Sequence, residues 1–156
     1  MVKLNLGSGN DYRQGYVNID ISPEYNPDMV CDLSKGIPFD DNSVSYVYAH
    51  HFLEHIEDII FMMNEIWRVC CADAQVEIEV PHQSSLMAFA DPTHKRIFNE
   101  ESFKYFCSNG EHYWIHESYG IFCDFTLKNQ KVLKHKRHGY VRVWLQVNKK
   151  DGVKLD

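Results

Sequence analysis

Apolar and polar residues alternate in short runs over the first fifty positions. Val2, Leu4 and Leu6 alternate with Lys3 and Asn5, and Val17, Ile19 and Ile21 with Asn18 and Asp20. A two-residue period belongs to strands with one apolar face. MVCDL (29–33), set off by Pro23 and Pro27, and VSYVYAH (44–50) predict two further strands. The period then changes. Ile59, Met62, Met63, Ile66, Trp67 and Cys70 fall on one face of a helix over 57–71. Glu57 and Asp58 in its first turn and Arg68 near its end match the helix dipole. Val76, Ile78 and Val80 alternate with Gln75, Glu77 and Glu79 in a fifth strand. After Pro81 the pattern predicts a short helix or lid over 84–92 and a helix over 99–106 capped by Asn99. Strands near 121–127 and 140–147 flank KVLKHKRHG as a hairpin. The aromatics from Phe98 to Tyr119 read as a second core or as walls of a pocket.

These elements predict an α/β fold: a minimal Rossmann-like, mostly parallel sheet with a C-terminal antiparallel hairpin. Parallel neighbours normally need a crossover of about a dozen residues or more. Only 7–16 separate the first two strands and 22–28 the next two, so the crossover helices are reduced to turns. The polar alternate positions agree, since a parallel sheet covered on both faces shows nearly continuous apolar runs. One face is expected to be thinly covered and buried by a second copy or a partner, a homodimer being the expected form.

Length and composition narrow the class. The 156 residues, 13% aromatic, suit one folded domain over 1–156, with 1–82 as a cofactor-binding half and 83–156 as lid, acceptor region and C-terminal strands. No apolar stretch spans a bilayer, and MVKLNLG lacks a signal-peptide layout. Five cysteines without a CxxC pair suit reduced thiols in the cytoplasm. A net charge of −6 gives no general attraction to nucleic acid or anionic lipid.

The first strand stops at Gly7-Ser8-Gly9, and acids end the second and third strands at Asp20 and Asp32. Glycines there let backbone N–H groups approach a ligand, and open α/β sheets bind ligands outside those strand ends. An acid after the second strand suits a ribose diol, and Asp32 would reach an adenine amino group. An ordinary turn with solvated acids would use the same residues. A dinucleotide fingerprint does not fit, because Tyr12 stands where a third glycine is needed and Asp20 comes too early.

The segments LNLGSGN, VNIDIS, CDLSKGIPFDDNSVSYVYAHHFLEHI, NEIWRV, VEIEVPH and DPTHKRIFNEESFKYF resemble class I S-adenosylmethionine-dependent methyltransferases of the short, type-11-like branch. Together they span roughly two-thirds of the chain in the family's order. The resemblance implies S-adenosyl-L-methionine as cofactor. Asn5, Leu6, Gly7, Ser8, Gly9 and Asn10 would hold its methionine end, Asp20 and Ile21 the ribose, and Asp32 and Leu33 the adenine edge. His50 and His51, beyond the fourth strand, would lie beside the methyl group. The sequence departs from the family at Asn5, where an acid is usual, and at Asp11, where a third glycine is usual.

Histidine titrates in the range useful to an oxygen acceptor, and His51 and His94 are the catalytic candidates. Were HHFLEH helical, His51, Glu54 and His55 would share one face with zinc-type ligands, and His94 could complete the set. Similar acid, acid, histidine patterns hold magnesium in ubiquinone-biosynthesis and small-RNA methyltransferases. The LEH element is structural in relatives that bind no metal, and no metal is assigned. The expected acceptor is a small molecule or sugar-containing metabolite. The alternatives are a non-catalytic binding or assembly module and an RNA-end methyltransferase served by the basic run 131–138.

Overall fold

The computed structural model describes residues 1–149; the last seven residues of the 1–156 range lie outside it. Its strands are β1 (Val2–Leu6), β2 (Val17–Asp20), β3 (Met29–Val30), β4 (Val44–His50), β5 (Cys70–Pro81), β6 (Phe125–Leu133) and β7 (Tyr140–Val147), and the helices are α1 (Ile59–Val69), α2 (Met87–Ala90) and α3 (His116–Tyr119). They form one seven-stranded sheet in the order β3-β2-β1-β4-β5-β7-β6. The first five strands pair in parallel. The β6–β7 hairpin then joins antiparallel through β7 to β5.

Register sorts the side chains. Leu4 faces Val47 and Leu6 faces Ile19 across neighbouring strands. These, with Ala49, Val76 and Ile78, meet Met62, Met63 and Ile66 of α1 in a buried core. Asp58 caps α1, its carboxylate accepting from the Phe61 N–H. Phe98, Phe103 and Phe106 join that core, whereas Tyr113, Trp114 and Tyr119 are exposed.

The opposite face carries no helix among the described residues. It is lined by polar and aromatic side chains that satisfy one another. Tyr46 donates to Glu77 (2.9 Å), His50 contacts Glu77 (3.0 Å), and Arg142 donates to Glu79 (2.6 Å). Asparagines replace the missing first crossover helix. Buried Asn18 accepts from the Arg13 N–H and from Asn5, and donates to the Arg13 carbonyl and Asp28. The loop's backbone groups thus find the partners a helix would otherwise supply.

Several elements differ from expectation. β5 starts at Cys70, because residues 71–74 bulge out of its pairing with β4 and Asp73 takes φ +61°. HHFLEH is not helical: His51 takes φ +52°, and only Leu53–His55 make a 3-10 turn. The helix over 99–106 shortens to a 3-10 turn at Ser102–Phe106, because the Asn99 carboxamide accepts from the Glu101 N–H in a local turn.

Candidate functional site

β1 ends at Leu6, and Gly7 and Gly9 both take left-handed backbone (φ +64° and +44°). Gly7 is constrained twice, since a Cβ there would stand 2.7 Å from the Phe52 ring. Three bonds fasten the loop to β2. The Ser8 N–H donates to the Ile19 carbonyl (3.0 Å), the Gly9 N–H to Asp20 Oδ2 (2.8 Å), and the Ser22 N–H to Asp20 Oδ1 (2.9 Å).

This loop opens on a cavity of about 650 Å³ at the carboxyl ends of the parallel strands. Gly7, Gly9 and Asn10 line it from the first loop, and Asp20 and Ile21 from the end of β2. Asp32 and Leu33 follow β3, and His51 follows β4. Three separate chain reversals therefore share one rim. Tyr25, Cys31, Ser34, Phe52, His55 and Ile56 complete the wall. Of these, only His55 stood out in the sequence; the others lie in irregular turns without periodicity.

Five expected site residues lie outside the wall. Leu6 is fully buried in the core. Asn5 is buried, donating to the Asp11 carbonyl (2.7 Å) and Asn18 Oδ1 (2.9 Å). Ser8 is buried, and its hydroxyl has no partner. His50 stacks on Tyr48 and contacts Glu77 on the helix-free face, and burial lowers its pKa. His94 sits behind the wall, its ring 4.8 Å from that of His55.

His51 is the strained residue at the cavity. Its backbone N–H donates to the Glu79 carbonyl (2.9 Å). Its Nδ1 lies 3.3 Å from Glu54 and its Nε2 3.3 Å from Glu79. These two carboxylates raise its pKa to about 9. His51 is thus an imidazolium at neutral pH, a fixed polar group more than a free base. Glu79 also binds Arg142; burial pushes its carboxyl up, but His51 and Arg142 prevail and hold it low. Asp32 caps the turn Leu33–Lys35, accepting from the Ser34 N–H and hydroxyl, which lower its pKa.

Residues 10–78 match the family model described as a methyltransferase domain. Over this stretch, somewhat under half of the chain, the sequence is similar to a methyltransferase domain. Solved structures share its fold. A Haloferax volcanii protein held in complex with the Trm112 methyltransferase activator superposes with a TM-score of 0.70 at 12% identity, covering 97% of this chain and 84% of that one. The 1,6-didemethyltoxoflavin-N1-methyltransferase of Burkholderia thailandensis, solved with its substrate and S-adenosylhomocysteine, gives 0.61 at 13%, covering 95% and 71%. A SAM-dependent methyltransferase of Archaeoglobus fulgidus gives 0.60 at 14%, covering 92% and 85%. No curated protein matches the chain.

S-adenosylmethionine, the cofactor named for the SAM-dependent Archaeoglobus fulgidus neighbour, fits the cavity of this chain. Each Asp20 oxygen accepts one backbone N–H and keeps acceptor capacity for a ribose hydroxyl. No atom lies within 4 Å of where a Gly9 Cβ would stand, so bare backbone faces the cavity there. Asp20 brings a negative charge to one side of the cavity, His51 a positive one to the other, and Asp32 is partly balanced by Lys35 (3.4 Å). The volume lies in the range of small-ligand pockets, roughly 300–1,000 Å³.

Proposed function

We propose that this chain is a methyltransferase that binds S-adenosylmethionine along the rim from Gly7 to Asp32 and methylates a small-molecule acceptor, such as a sugar-containing metabolite. The observation that carries this reading is the convergence of Gly7, Gly9, Asp20 and Asp32 on one cavity. The bound cofactor supplies an electrophilic methyl group on a sulfonium. The protein's part is alignment of the acceptor with that methyl. Asp20 holds the ribose diol. Asp32, held by Ser34 through Oδ1 and contacted by Lys35 at Oδ2 (3.4 Å), keeps acceptor capacity at Oδ2 for the adenine edge. Asn10 and the backbone of Gly7 and Gly9 take the methionine end. Asn5, Leu6, Ser8 and His50 support this rim from behind.

His51 orients the acceptor at the cavity wall, and His94 stiffens the wall through His55. Residues 83–149 supply the acceptor side. Five unbridged thiols suit work in the cytoplasm. A homodimer would form on the helix-free face, where Tyr140 and Trp144 are only partly buried. The Trm112 complex of the Haloferax volcanii protein makes a partner protein the second reading of this face. An RNA end is less favoured, because Lys134 in the basic run is already paired with Glu100 (2.6 Å).

Calorimetric titration with S-adenosylmethionine and S-adenosylhomocysteine tests the cofactor reading. Micromolar binding that weakens in Asp20→Ala is expected, and no heat at millimolar ligand overturns it. Tight binding with no turnover across an acceptor panel, and His51→Ala indistinguishable from the parent, would favour a non-catalytic module.

A further inference from the structure

We propose that Glu54, His55 and His94 form a binding site for one divalent cation of the zinc type. One ligand atom from each of the three lies within 4.8 Å of the others. Glu54 is 1% exposed, and neither of its carboxylate oxygens has a hydrogen-bond partner. His51 Nδ1, 3.3 Å from Oε1, makes a charge contact outside hydrogen-bond geometry. The His51 imidazolium offsets part of the charge at Oε1, but Oε2 has neither a hydrogen bond nor an ion-pair partner, and a buried carboxylate oxygen left so is costly unless a ligand satisfies it.

The imidazoles are set up as ligands by their other nitrogens. The Thr93 hydroxyl gives its single proton to Asp91 Oδ1 (2.6 Å), so its oxygen accepts from His55 Nδ1–H (2.9 Å). The Ala88 carbonyl has no proton to give, so His94 Nδ1–H donates to it (3.1 Å). Both rings therefore direct an Nε2 lone pair away from these partners, that of His94 with the Asp91 carboxylate 3.8 Å off, beyond hydrogen-bond reach. This is the outer arrangement that fixes tautomer and orientation in metal-binding histidines. The backbone holds the two halves together. The Lys95 N–H donates to the Glu54 carbonyl (2.7 Å), and the Arg96 guanidinium donates to the Glu57 carbonyl (2.6 Å). His94 is thereby pinned against a turn forty residues earlier in the chain.

Two imidazoles and one carboxylate suit zinc or cobalt(II), whereas magnesium prefers all-oxygen ligation. Three protein ligands leave a coordination position for water or a second substrate. His55 also forms part of the cavity wall.

The test is a cobalt(II) titration of the EDTA-treated full chain, followed by visible absorption and by metal analysis. One equivalent per chain is expected, displaced by zinc and not by millimolar magnesium. His94→Ala and Glu54→Gln should each weaken binding by about tenfold or more. Thr93→Val, which keeps all three ligands but frees the His55 ring, should weaken it less and leave the metal-free melting temperature unchanged. The exposed His135 and His138, stacked at 5.8 Å, are the control. A His135→Ala/His138→Ala variant should bind like the parent. Circular dichroism checks that each variant is folded; should Glu54→Gln fail to fold, His94→Ala and Thr93→Val decide. Absence of stoichiometric binding below about a millimolar overturns the proposal. So does binding that survives His94→Ala or vanishes in the His135/His138 variant.

Discussion

Asn5 spends both amide protons on acceptors, the Asp11 carbonyl and Asn18 Oδ1. The acid usual in the family would face two acceptors there. Asn5→Asp should therefore destabilise the fold by about 1–3 kcal/mol in chemical denaturation and not tighten cofactor binding. The two loop glycines should separate in the same measurement. Gly9→Ala incurs a left-handed backbone cost of about 1–2 kcal/mol, while Gly7→Ala adds a clash with Phe52 and should lose more. For Asp20→Ala, calorimetry should show S-adenosylhomocysteine affinity falling about tenfold or more, the scale of a charged hydrogen bond. Gly7, Gly9, Asp20 and Asp32 were legible in the sequence because each ends an alternating run. The place of Asn5 was not, since its partners come from a loop and from the next strand.

Arg68, near the end of α1, ties that helix to the chain before β4. Its guanidinium donates to Glu65, to Asp41 and to the carbonyls of Ile37 and Phe39. The Arg68 pair lowers the Glu65 carboxyl below its ordinary 4.5. A group whose pKa is depressed by folding stabilises above its unfolded value. That contribution should be lost as pH falls through 4.5 and below. Melting curves from pH 6 to pH 3 should show the loss, and Glu65→Gln should show a shallower one. β1, β2, β4 and α1 were legible from period, whereas β6 runs Phe125–Leu133, into the stretch expected to connect the hairpin, and β3 is confined to Met29–Val30. HHFLEH was not, because left-handed His51 breaks the spacing that suggested a helix. The meeting of His55 and His94 is set by loop docking, and no local pattern encodes that contact.

The whole sheet has one apolar face under α1 and one face sealed by its own polar lattice. Static light scattering at micromolar concentration should report a dimer if the second face is also an interface. A monomer that binds no apolar dye would mean that the tyrosine, histidine, glutamate and arginine lattice suffices alone. Legibility was greatest at this scale: alternation with polar residues implied an uncovered face before any coordinate did. That the face would be self-paired was not readable, because cross-strand partners such as Tyr46 and Glu77 lie 31 residues apart.

The position of β7 between β5 and β6 bears on how the chain is made. β5, twelve residues long, cannot complete its pairing until synthesis has passed Gln146. A ribosome-bound chain stalled before Phe125 would present a long open strand edge, a template for joining its neighbours. A chain truncated there should aggregate more readily than one that carries β6 and β7, so this hairpin acts as a closing seam for the sheet.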